Sequence, residues 1–122
     1  MSTLTPRRIA YLLSTGAILT ETAVGAQWDL TRNDYVRDTL DHLGYPVYFA
    51  TIMGTAKAAA VATLLTPGTP RLKEWAYAGL TFVYAGAALS HFATKDAPKK
   101  IIPPAVATAL AVASWTLRPA GE

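Results

Sequence analysis

Cysteine is absent from all 122 residues, which excludes disulfides, thiol catalysis, iron–sulfur clusters and thiolate zinc sites. Histidine is nearly so: only His42 and His91 occur, and His42 lies outside the long apolar runs. One chain therefore cannot hold a haem between two intramembrane histidines. No GxGxxG or Walker sequence is present, which argues against nucleotide chemistry. The net charge is +3, yet no compact basic stripe with interleaved aromatics exists, so a nucleic-acid partner is not expected. No inverted repeat or pair of broken spans suggests a transporter, and no metal site is expected.

What the chain does contain is apolar length. Hydrophobic residues make up 52% and charged residues 16%, and the apolar ones gather into four stretches at about 9–26, 45–65, 72–93 and 101–117. Each approaches the roughly 20 residues that a helix needs to cross hydrocarbon. Thr5 and Pro6 suit the start of the first helix, and the Pro-Gly-Thr-Pro run after Thr66 breaks the chain between the second and third. Pro46 is expected inside the first turn of span two, and Pro103 with Pro104 inside the first turn of span four. Between spans one and two, Tyr35, Val36, Leu40 and Leu43 recur at helical spacing. This pattern predicts a short interfacial helix capped by Asn33 or Asp34 and stopped by Gly44.

The expected fold class is thus all-α: an integral membrane four-helix bundle, antiparallel and up-down, forming one transmembrane domain over 1–122. Trp28, Tyr45, Tyr48 and Phe92 mark one set of span ends and Trp75, Tyr77 and Trp115 the other, as expected of membrane interfaces. Arg7 and Arg8, followed by an apolar run and the small residues Ala23, Gly25 and Ala26, also resemble a signal peptide. The length of that run and Glu21 within it favour a retained first span. Lysine and arginine divide evenly between the two sides, and the Arg7–Arg8 pair tips both termini towards the cytoplasm.

Four ionisable residues, Glu21, Lys57, Glu74 and His91, fall inside the apolar stretches, where an uncompensated charge costs on the order of 2.5–3.5 kcal/mol. In span three, Glu74, Tyr77, Thr81, Tyr84, Ala88 and His91 step by three and four along one face. In span one, Tyr11, Ser14, Ala17, Glu21, Val24 and Trp28 give a matching seam. Lys57 lies about 12 Å from the nearer end of its helix and requires a counter-ion, with Glu74 the expected partner and Glu21 the alternative. Glu21 and His91 form a second expected pair. The candidate site is accordingly Glu21, Lys57, Glu74, Tyr77, Tyr84 and His91, read either as a structural seam or as a ligand pocket.

The block Leu43, Gly44, Tyr45, Pro46, Val47, Tyr48 and Phe49, followed by Gly54, Thr55, Ala56 and Lys57, resembles the DoxX-like family of small bacterial membrane proteins. The continuation through Leu64, Leu65, Thr66 and Pro67, Lys73, Glu74 and Trp75, and Leu89, Ser90 and His91 is similar to the same family. The resemblance implies a four-helix bacterial inner-membrane protein, relatives of which are linked to quinone-coupled redox complexes and oxidative-stress assemblies. It also implies that the family's intramembrane lysine and Lys-Glu-Trp stretch correspond to Lys57 and to Lys73, Glu74 and Trp75. Thiol-redox roles do not transfer to a chain without cysteine. Two functions remain open. One is an accessory or assembly subunit that is not an enzyme by itself; the other is a quinone- or lipid-binding subunit of a redox complex. No cofactor is encoded, and the partners expected are membrane lipid, another membrane protein or further copies of the chain.

Overall fold

The computed structural model describes residues 4–120, and among these every regular element is helical. Five helices follow in order: α1 (Pro6–Thr31), α2 (Asp34–Leu43), α3 (Tyr48–Leu65), α4 (Pro70–Ala93) and α5 (Pro98–Leu117). The Thr5 hydroxyl accepts the Arg8 N–H at 3.1 Å and Pro6 occupies the first turn, so α1 begins where its sequence directs. Asn33 caps α2 by accepting the Val36 N–H at 2.9 Å.

Three helix ends share one closure, in which the chain turns through a left-handed residue and returns two backbone N–H groups to the last turn. Arg32 (φ 47°) closes α1, Gly44 (φ 86°) closes α2 and Lys95 (φ 60°) closes α4. Gly44 meets this need without a Cβ penalty, whereas Arg32 and Lys95 hold a conformation that L side chains disfavour.

Two boundaries differ from expectation. Helix α3 starts at Tyr48 and not at Tyr45, because the Tyr45 N–H is bonded to the Leu40 carbonyl (2.9 Å) in the closure of α2, leaving Pro46 in the turn before α3. Helix α5 starts at Pro98, so Pro103 and Pro104 lie in its interior, where neither can donate to the carbonyl four residues back.

Helix α1 packs on α3 and α5, and α4 packs on the same two; α2 touches mainly α3. The core is built from Ile18, Ala60, Leu80, Tyr84, Ala107 and Ala111. Small residues supply much of it, beside the larger Ile18, Leu80 and Tyr84. Among fully buried side chains the largest are only Ile18, Thr22 and Ser114, while Phe82 is 79% and Trp75 77% exposed. Small residues inside and large apolar ones outside are what hydrocarbon solvent favours, since helices gain from close backbone approach rather than from hiding side chains. By length and composition, α1, α3 and α5 are each able to cross a membrane. Helix α4 has the length, at 24 residues, but Arg71, Lys73 and Glu74 near its start and Tyr77, Tyr84 and His91 further along make it less apolar.

Candidate functional site

Lys57, within the apolar α3, is paired, and its partner is Asp29. Lys57 Nζ lies 2.9 Å from Asp29 Oδ2, with the two side chains 15% and 12% exposed. Oδ2 has no hydrogen bond of acceptable angle, so charge rather than direction holds the pair. Two glycines make it possible. A Cβ at Gly54 would stand 2.7 Å from Leu30 Cγ and 3.0 Å from Asp29 Cβ, so these α1 side chains sit directly on the α3 backbone at that level. A Cβ at Gly25 would stand 3.1 Å from Nζ, so the ammonium fills the space that this glycine leaves. The lysine sits one turn beyond Gly54, and helical side chains lean towards their own N-terminus, which directs Lys57 back to Asp29.

Tyr84 continues the site. Its ring centroid is 6.0 Å from Nζ, at the outer reach of a cation–π contact, and its hydroxyl is 2.8 Å from the hydroxyl of the fully buried Thr22. One step along the bundle, Tyr77 meets Ser114 at 2.7 Å, and Ser114 meets Thr15 at 2.5 Å. Interior hydroxyls thus bond to one another across α1, α4 and α5. Replacing Tyr84 by Phe is expected to lower stability by about 1 kcal/mol, the low end for a stranded buried hydroxyl, because Thr22 can turn to the carbonyl of its own preceding turn. Thermal unfolding in detergent checks this, and Tyr84→Phe combined with Thr22→Val should recover most of the loss.

The other expected members are dispersed. Glu74 is paired with Arg118 at 3.5 Å and its side chain is 59% exposed; lying in the first turns of α4, it is level with the end of α3 that Lys57 leans away from. Glu21 is exposed on α1, beside but not on the buried face of Ser14, Ile18, Thr22, Ala26 and Asp29. His91 is buried, but its partner is Asp96 and not Glu21. Tyr77 and Tyr84 do face inward together, and of the five other expected residues Tyr84 is the one set against Lys57.

At the α2 end, Asp96 bridges both histidines. Its Oδ2 is 2.6 Å from His91 Nδ1 and its Oδ1 is 2.6 Å from His42 Nε2, while the Thr94 hydroxyl donates to Oδ2 at 3.1 Å. The closure of α4 sets this up by bonding the Asp96 N–H to the His91 carbonyl at 2.9 Å. These groups satisfy one another, and among the described residues no cluster is arranged to hold a metal. The hydrogen bond from His91, then that from His42, lowers the Asp96 carboxyl from 3.8 to about 2. A depressed carboxyl stabilises the fold above its unfolded value, and that contribution disappears as pH falls from about 4 to about 2. Unfolding midpoints should therefore drop across this interval, and Asp96→Asn should flatten the drop.

Sequence reasoning missed Asp29 and Asp96. Asp29 had a usable signal, since it stands seven residues after Thr22 on one helical face. Comparison with known families now adds one finding. A model of the DoxX-like family matches residues 13–114, most of the chain, and the chain belongs to that family. No curated protein and no solved structure matches it significantly.

Proposed function

We propose that this member of the DoxX-like family is a multi-pass protein of the bacterial cell membrane, an accessory or assembly subunit and not an enzyme by itself. Helices α1, α3, α4 and α5 would form an antiparallel four-helix bundle, with α2 lying at the interface. The opposed sense of α1 and α5 is supported by Arg7 donating to the Thr116 carbonyl at 2.9 Å and by Thr15 meeting Ser114. The amphipathic α2, with its aspartates and Tyr35, suits the headgroup layer. An even number of crossings puts both termini on one side, and Arg7 with Arg8 favours the cytoplasm.

One observation carries the accessory reading: the interior polar groups are bonded among themselves, from Lys57 and Asp29 to Tyr84 and Thr22 and to Tyr77, Ser114 and Thr15. Such a seam fixes helix register and leaves the outward faces to lipid or a partner's helices. A competing reading, a quinone- or lipid-binding subunit of a redox complex, gains from an open cleft between α3 and α4 to which Lys57 contributes.

Purification in mild detergent tests the two. A stoichiometric membrane-protein partner with no bound redox ligand supports the accessory role. A co-purifying quinone that is lost in Lys57→Ala, with the fold retained, would overturn it in favour of the competing reading.

A further inference from the structure

Helices α3 and α4 are the most loosely packed of the long-helix neighbours, although small residues line both. Between them runs a cleft of about 320 Å³ whose walls include Ala56, Ala59 and Thr63 from α3 and Ala76, Gly79 and Val83 from α4. A second cavity, of about 480 Å³, lies at the hairpin, where Leu72 and Trp75 line both. Along α4 the cleft extends from Leu72 to Val83, roughly 16 Å at helical rise, which is about the depth of one leaflet of a 30 Å hydrocarbon core.

A flexible hydrocarbon chain matches a slot walled mainly by alanine, leucine, valine and glycine, with Lys57 and Thr63 also in its lining.

The mouth has a charge to match. Exposed Arg71, in the first turn of α4, engages no other side chain among the described residues, and Thr69 provides no side-chain cap for that turn. An unpaired guanidinium beside uncapped backbone N–H groups at a helix's positive end favours an anion.

We propose that the α3–α4 cleft holds one acyl chain of an anionic phospholipid whose phosphate sits on Arg71 and the first turn of α4. This rests on α3 and α4 crossing the bilayer and goes further by naming the ligand. The lipid would complete the packing that the two helices leave unfinished.

The test titrates the full chain in mild non-ionic detergent with phosphatidylglycerol and with phosphatidylcholine of the same chains, read by native mass spectrometry. One phosphatidylglycerol should bind in preference, and Arg71→Gln should reduce that preference about fivefold, the effect of one cation near a lipid phosphate. Gly79→Leu places a side chain in the cleft, where a Cβ meets nothing within 4 Å, and should abolish binding of both lipids at this site while leaving helix content intact. Equal affinity for the two lipids, binding unchanged by Gly79→Leu, or a quinone occupying the cleft would each overturn the proposal. Loss of lipid binding with continued dependence on detergent would remove this inference alone. A chain that stays monomeric without amphiphile would remove the membrane reading beneath it.

Discussion

Lys57→Met is expected to cost about 3–5 kcal/mol of stability, the penalty for leaving a buried carboxylate without its counter-ion. Asp29 is 8% exposed and, among the described residues, Lys57 is the only cation set against it, so the lost partner has no substitute. Thermal or denaturant unfolding in a fixed detergent measures the loss. The double variant Lys57→Met with Asp29→Asn should recover most of it, because an amide is far cheaper to bury than an ion. If the double variant is no more stable than the single one, the pair is not what holds α1 to α3. The reciprocal single change, Asp29→Asn, should also destabilise, but less, since the lysine stem can carry its ammonium part of the way to water.

Gly54→Val should have the next largest effect. The first carbon added at this position falls 2.7 Å from Leu30 Cγ, closer than real Cβ contacts come, and a tight 3.0 Å from Asp29 Cβ. Helix α1 must then move away from α3, and the Lys57–Asp29 separation must grow with it. Overpacking of this kind costs about 1–3 kcal/mol, to which the weakened ion pair adds. Gly54→Ala should be milder but in the same direction. The distinguishing measurement is a double-mutant cycle: in a Lys57→Met, Asp29→Asn background, Gly54→Val should cost less than in the native chain, because only the steric part remains. Equal cost in both backgrounds would show that the glycine and the ion pair act independently.

The helical class and the rough positions of the helices were legible because apolar length and proline–glycine punctuation act locally. Helix ends were less so. The first helix runs to Thr31, beyond the span expected to end at Ala26, and so brings Asp29 into its final turns. The seam on α1 was misplaced for a reason of periodicity. From Tyr11 to Trp28 it advanced about 3.4 residues per step, slower than the helix's 3.6, and it had slipped off the buried face by Glu21. The face that is buried, Ser14, Ile18, Thr22, Ala26 and Asp29, advances about 3.75 per step.

The site was legible in part for a related reason. That Lys57 required a buried partner followed from the cost of an unpaired ion in hydrocarbon, and Gly54 was readable as a point of close approach. Which acid answers it depended on the direction in which a helical side chain leans, and that turns Lys57 away from Glu74. The bridge from His42 through Asp96 to His91 joins residues up to 54 positions apart, and no local pattern joins them.

The outward placing of large apolar side chains around small buried ones bears on how the chain should respond to systematic substitution. In a water-soluble protein the bulky apolar positions are the sensitive ones and alanine is the harmless replacement. Here a saturation scan should divide the large residues by the side they face. Phe82, Trp75 and Leu89 should accept most apolar replacements with little change in yield, while Gly54, Ala60, Ala107, Ala111 and Ser114 should reject nearly everything larger than themselves. Ile18, Leu80 and Tyr84, large but buried, should stay sensitive, so that bulk alone would not foretell which positions matter.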